Sequence, residues 1–201
     1  MVYQLPNSIG ANPYDPNSPA RVLRDLALDP GNPNVVYACS DDHGAAIAAG
    51  NTDGAIFVKS MDAGVTWSQS ILVTGGTQSD RMTIAVSPAA PGNVWAIYRS
   101  GSTDKLWRSS DHGSSWTLVA GNYTLNGGGY WRQDLAISPT DASVMYAAAY
   151  YANKSTNGGV SFIQQTGGQH IDTRCMEVIS GSAPGSGGVG DVVIHGNDGG
   201  I

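Results

Sequence analysis

Charged side chains that could meet a ligand occur in a few short segments of the sequence. Asp41, Asp42 and His43 stand together in a long polar stretch between two predicted strands. Two carboxylates and an imidazole could carry out general acid-base chemistry or bind a metal ion. Acidic loops more often lie on the surface and contact only solvent, so we predict no metal site here.

Three arginines, Arg81, Arg132 and Arg174, precede short apolar segments at the same offset. The rigid, planar guanidinium group suits the binding of carboxylates and phosphates. The alternative is an ion pair within the fold, with an acidic neighbour such as Asp80 or Asp134. Both interpretations are open from the sequence.

Two aromatic residues, Tyr130 and Trp131, directly precede Arg132. Exposed aromatic rings can stack on the apolar faces of sugar rings, and packing between sheets is an equally open alternative. The candidate ligand-binding residues are Asp41, Asp42, His43, Asp80, Arg81, Tyr130, Trp131, Arg132 and Arg174.

The composition excludes several functional classes. The chain has 201 residues, with 10 Lys and Arg against 16 Asp and Glu, which gives a formal net charge of -6. An acidic protein lacks the positive charge that binds nucleic acid or an anionic membrane surface, so we predict neither partner. No run of about 18 apolar residues is present, so we predict no membrane insertion. We also predict no cofactor.

The same composition indicates strands rather than helices. The sequence has 27 Gly and 10 Pro but a single glutamate, Glu177. Glycine and proline break helices, whereas glutamate is a usual residue of exposed helix faces. Short runs of Val, Ile, Tyr, Trp and Thr between polar turn residues predict an all-β protein. Cys39 and Cys175 have no metal-ligand spacing, and we interpret both as buried hydrophobic residues rather than as a disulfide.

Two sequence motifs recur three times along the chain. The first is an apolar segment that ends at a proline, followed seven residues later by an aromatic residue and an alanine; the aromatic residues are Tyr37, Trp95 and Tyr146. The second is Ser-x-Asp-x-Gly-x-x-Trp, with a degenerate third copy. Its residues are Ser60, Asp62, Gly64 and Trp67, then Ser109, Asp111, Gly113 and Trp116, then Ser155, Asn157, Gly159 and Phe162.

The period of the repeat predicts the architecture. The motif prolines lie 58 and 51 residues apart, a spacing typical of a four-stranded propeller blade. We therefore predict a β-propeller of antiparallel blades, with about three and a half blades in this chain. The predicted blades span about 21–78, 79–128, 129–168 and an incomplete 169–201, after an extended lead-in over 1–20. So few blades cannot close a ring, so the expected partners are further blades or a second chain.

This pattern resembles the Asp-box (BNR) repeat of β-propellers. The sequence over Asp29–Tyr37 and Gly54–Ser60 looks most similar to that of xyloglucanase-type glycoside hydrolases. It resembles sialidases and sortilin-type receptors more distantly. The resemblance implies that ligands bind where the chain connects one blade to the next. It implies a structural role for Asp62, Asp111 and Asn157 at the opposite face.

The resemblance also bears on catalysis. Glycosidases use two carboxyl groups that flank the scissile bond. Where xyloglucanase-type enzymes have an aspartate before a first strand, this chain has Arg24, Met82 and Gln133. Asp25 and Asp134 come one residue later, so we predict that they point to the other side of the strand. The catalytic residues are therefore unassigned.

Two functions agree with these observations. The first is an extracellular or cell-surface propeller segment that binds a ligand, with carbohydrate favoured, or that serves as a structural module. The second, implied by the resemblance, is part of a xyloglucanase-like glycoside hydrolase that acts on a β-glucan-type polysaccharide. A protein-docking scaffold is a third hypothesis, because one propeller fold supports many functions.

Overall fold

The computed structural model describes residues 23–40, 56–71, 81–100, 103–123, 125, 134–148, 150–165, 173–181, 190–197 and 199. Within these ranges all regular secondary structure is β-strand, which confirms the all-β prediction. These ranges contain no helix that is long and apolar enough to cross a membrane. The predicted lead-in over 1–20 lies outside them.

Fourteen strands are present in the described ranges. They are β1 (Leu23–Leu28), β2 (Val36–Ser40), β3 (Ile56–Ser60), β4 (Ser68–Ile71), β5 (Arg81–Ala85), β6 (Val94–Ser100), β7 (Thr103–Ser109), β8 (Thr117–Tyr123), β9 (Asp134–Ile137), β10 (Met145–Ala148), β11 (Ala152–Ser155), β12 (Ile163–Gln164), β13 (Cys175–Gly181) and β14 (Gly190–Gly196).

The strands form antiparallel sheets in chain order. The first sheet contains β1 to β4, the second β5 to β8, the third β9 to β12, and β13 pairs with β14 in a two-stranded fourth sheet. The first strands of successive sheets, β1, β5, β9 and β13, lie beside one another. Successive propeller blades have this arrangement. The fold-class prediction of a partial propeller is therefore confirmed.

The repeated aromatic residues pack between the sheets. Tyr37, Trp95 and Tyr146 hold the same position in β2, β6 and β10, and each is buried. They belong to three successive apolar clusters, each formed where one sheet packs on the next. Because side chains alternate across a strand, each sheet has a forward face, directed toward the next sheet, and a backward face, directed toward the preceding sheet. In the second and third sheets both faces are packed.

The turn between the third and fourth strand of a four-stranded sheet is called here the Asp turn, and in the second and third sheets it packs against the preceding sheet. Gly113 has a φ of 73° and lies against the ring of Phe57. Gly159 has a φ of 86° and lies against Leu106, which holds the position of Phe57 in its own sheet. Trp116 packs edge-on against Phe57 with ring centres 4.9 Å apart. Glycine is required here because the left-handed backbone and the close approach both exclude a side chain.

The cysteines correct one sequence-based prediction. Cys39 is buried as predicted, whereas Cys175 is exposed; both thiols are free. Cys175 lies on the face of β13 opposite to the buried residues Met176 and Val178. Those two residues pack on the third sheet, and no sheet in the described part of the chain covers the opposite face.

We expect Gly113→Ala to destabilise the protein by about 2–5 kcal/mol, because a methyl group there overlaps Phe57 and the backbone is left-handed. Gly158→Ala is the matched control. Gly158 has a φ of 68°, but its missing Cβ would meet no atom within 4 Å, so it carries only the backbone cost of about 1–2 kcal/mol. Urea unfolding of the two variants tests the prediction. Equal losses of unfolding free energy would show that the contact with Phe57 contributes nothing.

Candidate functional site

The edge of the sheets at which the first strands begin, called here the start edge, carries two of the predicted arginines. Arg81 is the first residue of β5 and pairs with Arg99 of β6. Arg174 directly precedes β13, is exposed, and donates its backbone N–H to Gly196 O at 2.7 Å. The equal offset in the sequence therefore places both backbones at the same end of their sheets.

All of the other candidate ligand-binding residues lie outside the described part of the chain. These residues are Asp41, Asp42, His43, Asp80, Tyr130, Trp131 and Arg132. In the described ranges, no group of three or more His, Cys, Asp or Glu side chains could hold a metal ion.

Two aspartates near the start edge connect neighbouring sheets. The Oδ1 of Asp25 accepts the N–H of Leu26 at 2.8 Å, and its Oδ2 accepts the N–H of Ile84 in the second sheet at 2.9 Å. Both carboxylate oxygens therefore bind backbone, one within the sheet and one across to the next sheet.

Asp134 repeats this arrangement between the third and fourth sheets. Its Oδ1 accepts the N–H of Leu135 at 2.9 Å, and its Oδ2 accepts the N–H of Met176 at 2.5 Å. This contact of Asp134 with the backbone of the next sheet was not predicted from the sequence, although an aspartate stands at the same place in two of the repeats.

Burial raises the pKa values of these two carboxyl groups. Desolvation raises the pKa of Asp25, while hydrogen bonds from Ile84 and Leu26 and the charge of Arg24 oppose it. Desolvation also raises the pKa of Asp134 to about 6, and the charges of Asp25 and Glu177 add to the increase, against two backbone hydrogen bonds that lower it. A carboxyl group with a pKa near 6 can donate a proton close to neutral pH.

Asp134 should make stability depend on pH. Between about pH 4 and pH 6 the Asp134 carboxyl is protonated in the folded state but ionised in the unfolded state. The free energy of unfolding therefore falls as pH rises through that window. We expect Asp134→Asn to flatten this decline, even though the amide loses one acceptor for the two N–H groups. Unfolding free energies at several pH values measure the slope, with Asp141→Asn as the control at an exposed position. An unchanged slope between about pH 4 and 6 would contradict the assignment.

The opposite edge, called here the turn edge, carries the Asp turns. In the first turn, Ser60 Oγ donates to Asp62 Oδ1 at 2.7 Å and accepts the N–H of Gly64 at 2.8 Å. Thr66 donates its N–H to Asp62 Oδ1 at 2.8 Å and its hydroxyl to Asp62 Oδ2 at 2.6 Å. These hydrogen bonds lower the pKa of Asp62 to about 2. The carboxylate is therefore held in place inside its own turn.

The other two turns have the same geometry. Ser115 donates to Asp111 as Thr66 does to Asp62, and Ser161 takes this position opposite Asn157. In the third turn the Asn157 amide donates to the Ser161 hydroxyl at 2.8 Å, so the amide replaces the carboxylate. The hydroxyl residue four positions after the aspartate is absent from the motif as we defined it. Its recurrence as Thr or Ser in all three copies was the available signal.

A second polar cluster joins the first two sheets at the turn edge. The hydroxyl of Tyr37 donates to Asp29 Oδ2 at 2.7 Å and lies 2.8 Å from His112 Nδ1. Asp29 Oδ2 also accepts the N–H of Gly92 at 3.1 Å, and His112 Nδ1 lies 3.3 Å from it. Desolvation opposes ionisation of Asp29, but these hydrogen bonds and the charge of His112 together lower its pKa. The cluster holds a buried carboxylate between two sheets.

Removing the Tyr37 hydroxyl should weaken this junction. We expect Tyr37→Phe to cost about 1–3 kcal/mol, because the buried carboxylate of Asp29 loses a donor. Tyr146→Phe is the control, since Tyr146 is the counterpart in the third sheet and no hydrogen bond of its hydroxyl is among the described contacts. Thermal and urea unfolding give the two losses. A control that is as destabilised as Tyr37→Phe would show that ring packing, not the hydrogen bond, is responsible.

Comparison with known proteins agrees with this geometry. No protein-family model and no curated protein matches the sequence. Solved β-propeller structures do match it. An ancestral GH74 enzyme aligns with a TM-score of 0.60 at 19% identity, over 89% of this chain and 24% of that protein. This chain has a propeller fold.

Two further matches support the same conclusion. A structure described as YCF48 bound to D1 peptide aligns with a TM-score of 0.50 at 11% identity, over 72% of this chain and 40% of that protein. YCF48 from Cyanidioschyzon merolae aligns with a TM-score of 0.50 at 16% identity, over 72% and 37%. The present chain thus spans less than half the length of each propeller. At these identities the likeness shows the fold and not the activity.

Proposed function

We propose that the chain is a segment of an extracellular propeller that binds carbohydrate at the start edge. The placement of Arg81 and Arg174 at that edge of the second and fourth sheets supports this proposal. Guanidinium groups donate several hydrogen bonds in a fixed plane, which suits the hydroxyl and acidic groups of sugars. The aromatic pair Tyr130 and Trp131 precedes Arg132 in the sequence and would supply the stacking surface.

Binding at the start edge agrees with the use of the other edge. At the turn edge, Asp62, Asp111 and Asn157 are held by hydrogen bonds inside their own turns. Each of these three side chains already accepts two or more hydrogen bonds from its own turn. These three residues therefore stabilise the turns of the scaffold.

Titration with xyloglucan and β-glucan oligosaccharides tests the proposal. We expect Arg174→Ala to weaken binding by about tenfold or more, because a charged donor is lost. Lys154→Ala in β11, next to the Asp turn of the third sheet, is the control and should bind as the unmodified protein does. Affinity that is unchanged by Arg81→Ala, Arg132→Ala and Arg174→Ala alike would refute a start-edge site.

The second candidate is part of a glycoside hydrolase. One observation favours it: Asp134 has a pKa of about 6 and is influenced by the charge of Asp25 at the same edge. In this alternative Asp134 would act as general acid, although its oxygens also hold backbone N–H groups. Release of shorter oligosaccharides that disappears in Asp134→Asn, with binding retained, would favour the enzyme. Binding without product release favours the binding segment.

The same proposal includes further blades or a second chain as partners. Leu26 and Leu28 on the backward face of β1 are 62% and 54% exposed, and Ile179 and Ile194 on the forward face of the fourth sheet are 46% and 43% exposed. In the rest of the stack such faces pack on a neighbouring sheet. We expect apolar faces of this kind to be covered in the assembled protein, and a mass measurement in solution would show whether copies of this chain associate.

A further inference from the structure

A positively charged residue precedes the serine of every Asp turn. Each one pairs across strands with the buried aromatic residue of the second strand, which places the charge beside the ring. The pairs are Lys59 with Tyr37, Arg108 with Trp95, and Lys154 with Tyr146. The guanidinium carbon of Arg108 lies 5.5 Å from the centre of the Trp95 ring. The repeat thus presents a cation at equivalent places on three sheets.

Only the first of these cations has a described partner on the next sheet. Lys59 Nζ donates to Ser114 Oγ at 2.5 Å, which joins the first sheet to the Asp turn of the second. The residue equivalent to Ser114 in the third sheet is Val160, whose side chain has no acceptor and is 59% exposed. The third sheet therefore has no side-chain hydroxyl at the place equivalent to the one where the second sheet offers Ser114 to Lys59. No hydrogen bond or ion pair of the Arg108 guanidinium occurs among the described contacts.

A cleft opens beside this guanidinium group. It has a volume of about 280 Å³ and is lined by Arg108, Ser110, Ser115, Thr117 and Val119. These residues lie on the β7–β8 hairpin of the second sheet, and Val119 also packs on the cluster shared with the third sheet.

We propose that this cleft binds a carboxylate group, with Arg108 as its anchor. The guanidinium group presents two parallel N–H donors that match the two oxygens of a carboxylate. The hydroxyls of Ser110 and Thr117 can add donors at the rim, and Val119 gives the apolar floor. The cleft approaches the lower end of the volumes found for small-molecule sites, so it fits a single acidic sugar unit or a small organic acid.

The surroundings limit the charge of the ligand. Asp111 lies in the adjoining turn, and the hydroxyl of Ser115 already donates to its Oδ2 at 2.6 Å. The hydrogen bonds of Ser115 and Ser109 keep the pKa of Asp111 well below its usual value, so the group is charged at neutral pH. A fixed negative charge nearby disfavours dianions such as phosphate monoesters, so a singly charged carboxylate suits the cleft better.

Titration with glucuronate and with polygalacturonate tests this inference, with methyl glucuronate ester as the uncharged probe. We expect both acids to bind, the ester to bind about tenfold more weakly, and Arg108→Gln to lose a similar factor. Lys59→Gln is the matched control, because Lys59 holds the equivalent position and is already bound to Ser114. Tighter binding of the polymer per sugar unit would identify a polysaccharide as the source of the carboxylate, and equal binding a free acid.

A second variant keeps the inference testable if Arg108→Gln does not fold. Val160→Ser lies at an exposed position and supplies the hydroxyl that Lys59 finds in Ser114. It should draw Arg108 toward the third sheet and weaken carboxylate binding. Three results would each overturn the site: no binding of either acid, equal binding of ester and acid, or full binding by both Arg108→Gln and Val160→Ser. None of these results bears on the start-edge arginines, so this inference and the proposed function fail separately.

Discussion

The close contact between one sheet and the Asp turn of the next is the constraint on which the stack depends. Phe57 and Leu106 fill the space that a side chain would need at Gly113 and Gly159. This contact fixes the distance between sheets, because packed interiors tolerate neither gaps nor overlap. The turn must therefore hold one conformation, and the hydrogen bonds from serine to aspartate and from aspartate to the following hydroxyl residue hold it.

The same constraint divides the work of the two edges. An Asp turn must hold one conformation to pack on a neighbouring sheet. Its polar atoms therefore form hydrogen bonds within the turn, as the carboxylates of Asp62 and Asp111 do. Segments at the start edge connect one sheet to the next. Binding residues are often found on such connections, which a rigid scaffold positions. The proposed carbohydrate site lies at the start edge, whereas the proposed carboxylate cleft lies beside the Asp turn of the second sheet.

Buried carboxylates make the sheets a continuous unit. Asp25 and Asp134 accept backbone N–H groups of the next first strand, and Asp29 accepts the N–H of Gly92. A carboxylate that receives such donors offsets part of its desolvation cost, and removing one partner leaves a buried group unsatisfied. Desolvation dominates at Asp25 and Asp134, whereas hydrogen bonds dominate at Asp29, so their pKa values move in opposite directions.

The sequence by itself determined the strands, their order and the core. The aromatic-alanine motif located Tyr37, Trp95 and Tyr146 in equivalent positions of successive sheets, and the period of the repeat predicted that the sheets follow one another along the chain. These features are local and periodic, so a repeat makes them visible. Only the tertiary structure decided which polar groups meet. His112 is 75 residues from Tyr37 in the chain and meets it only between two sheets. Arg108 differs from Lys59 because the next sheet has a valine where Lys59 finds Ser114. Cys175 is exposed because no sheet in the described part of the chain covers its face of β13. Such properties depend on contacts between sheets, and no pattern within one repeat encodes them.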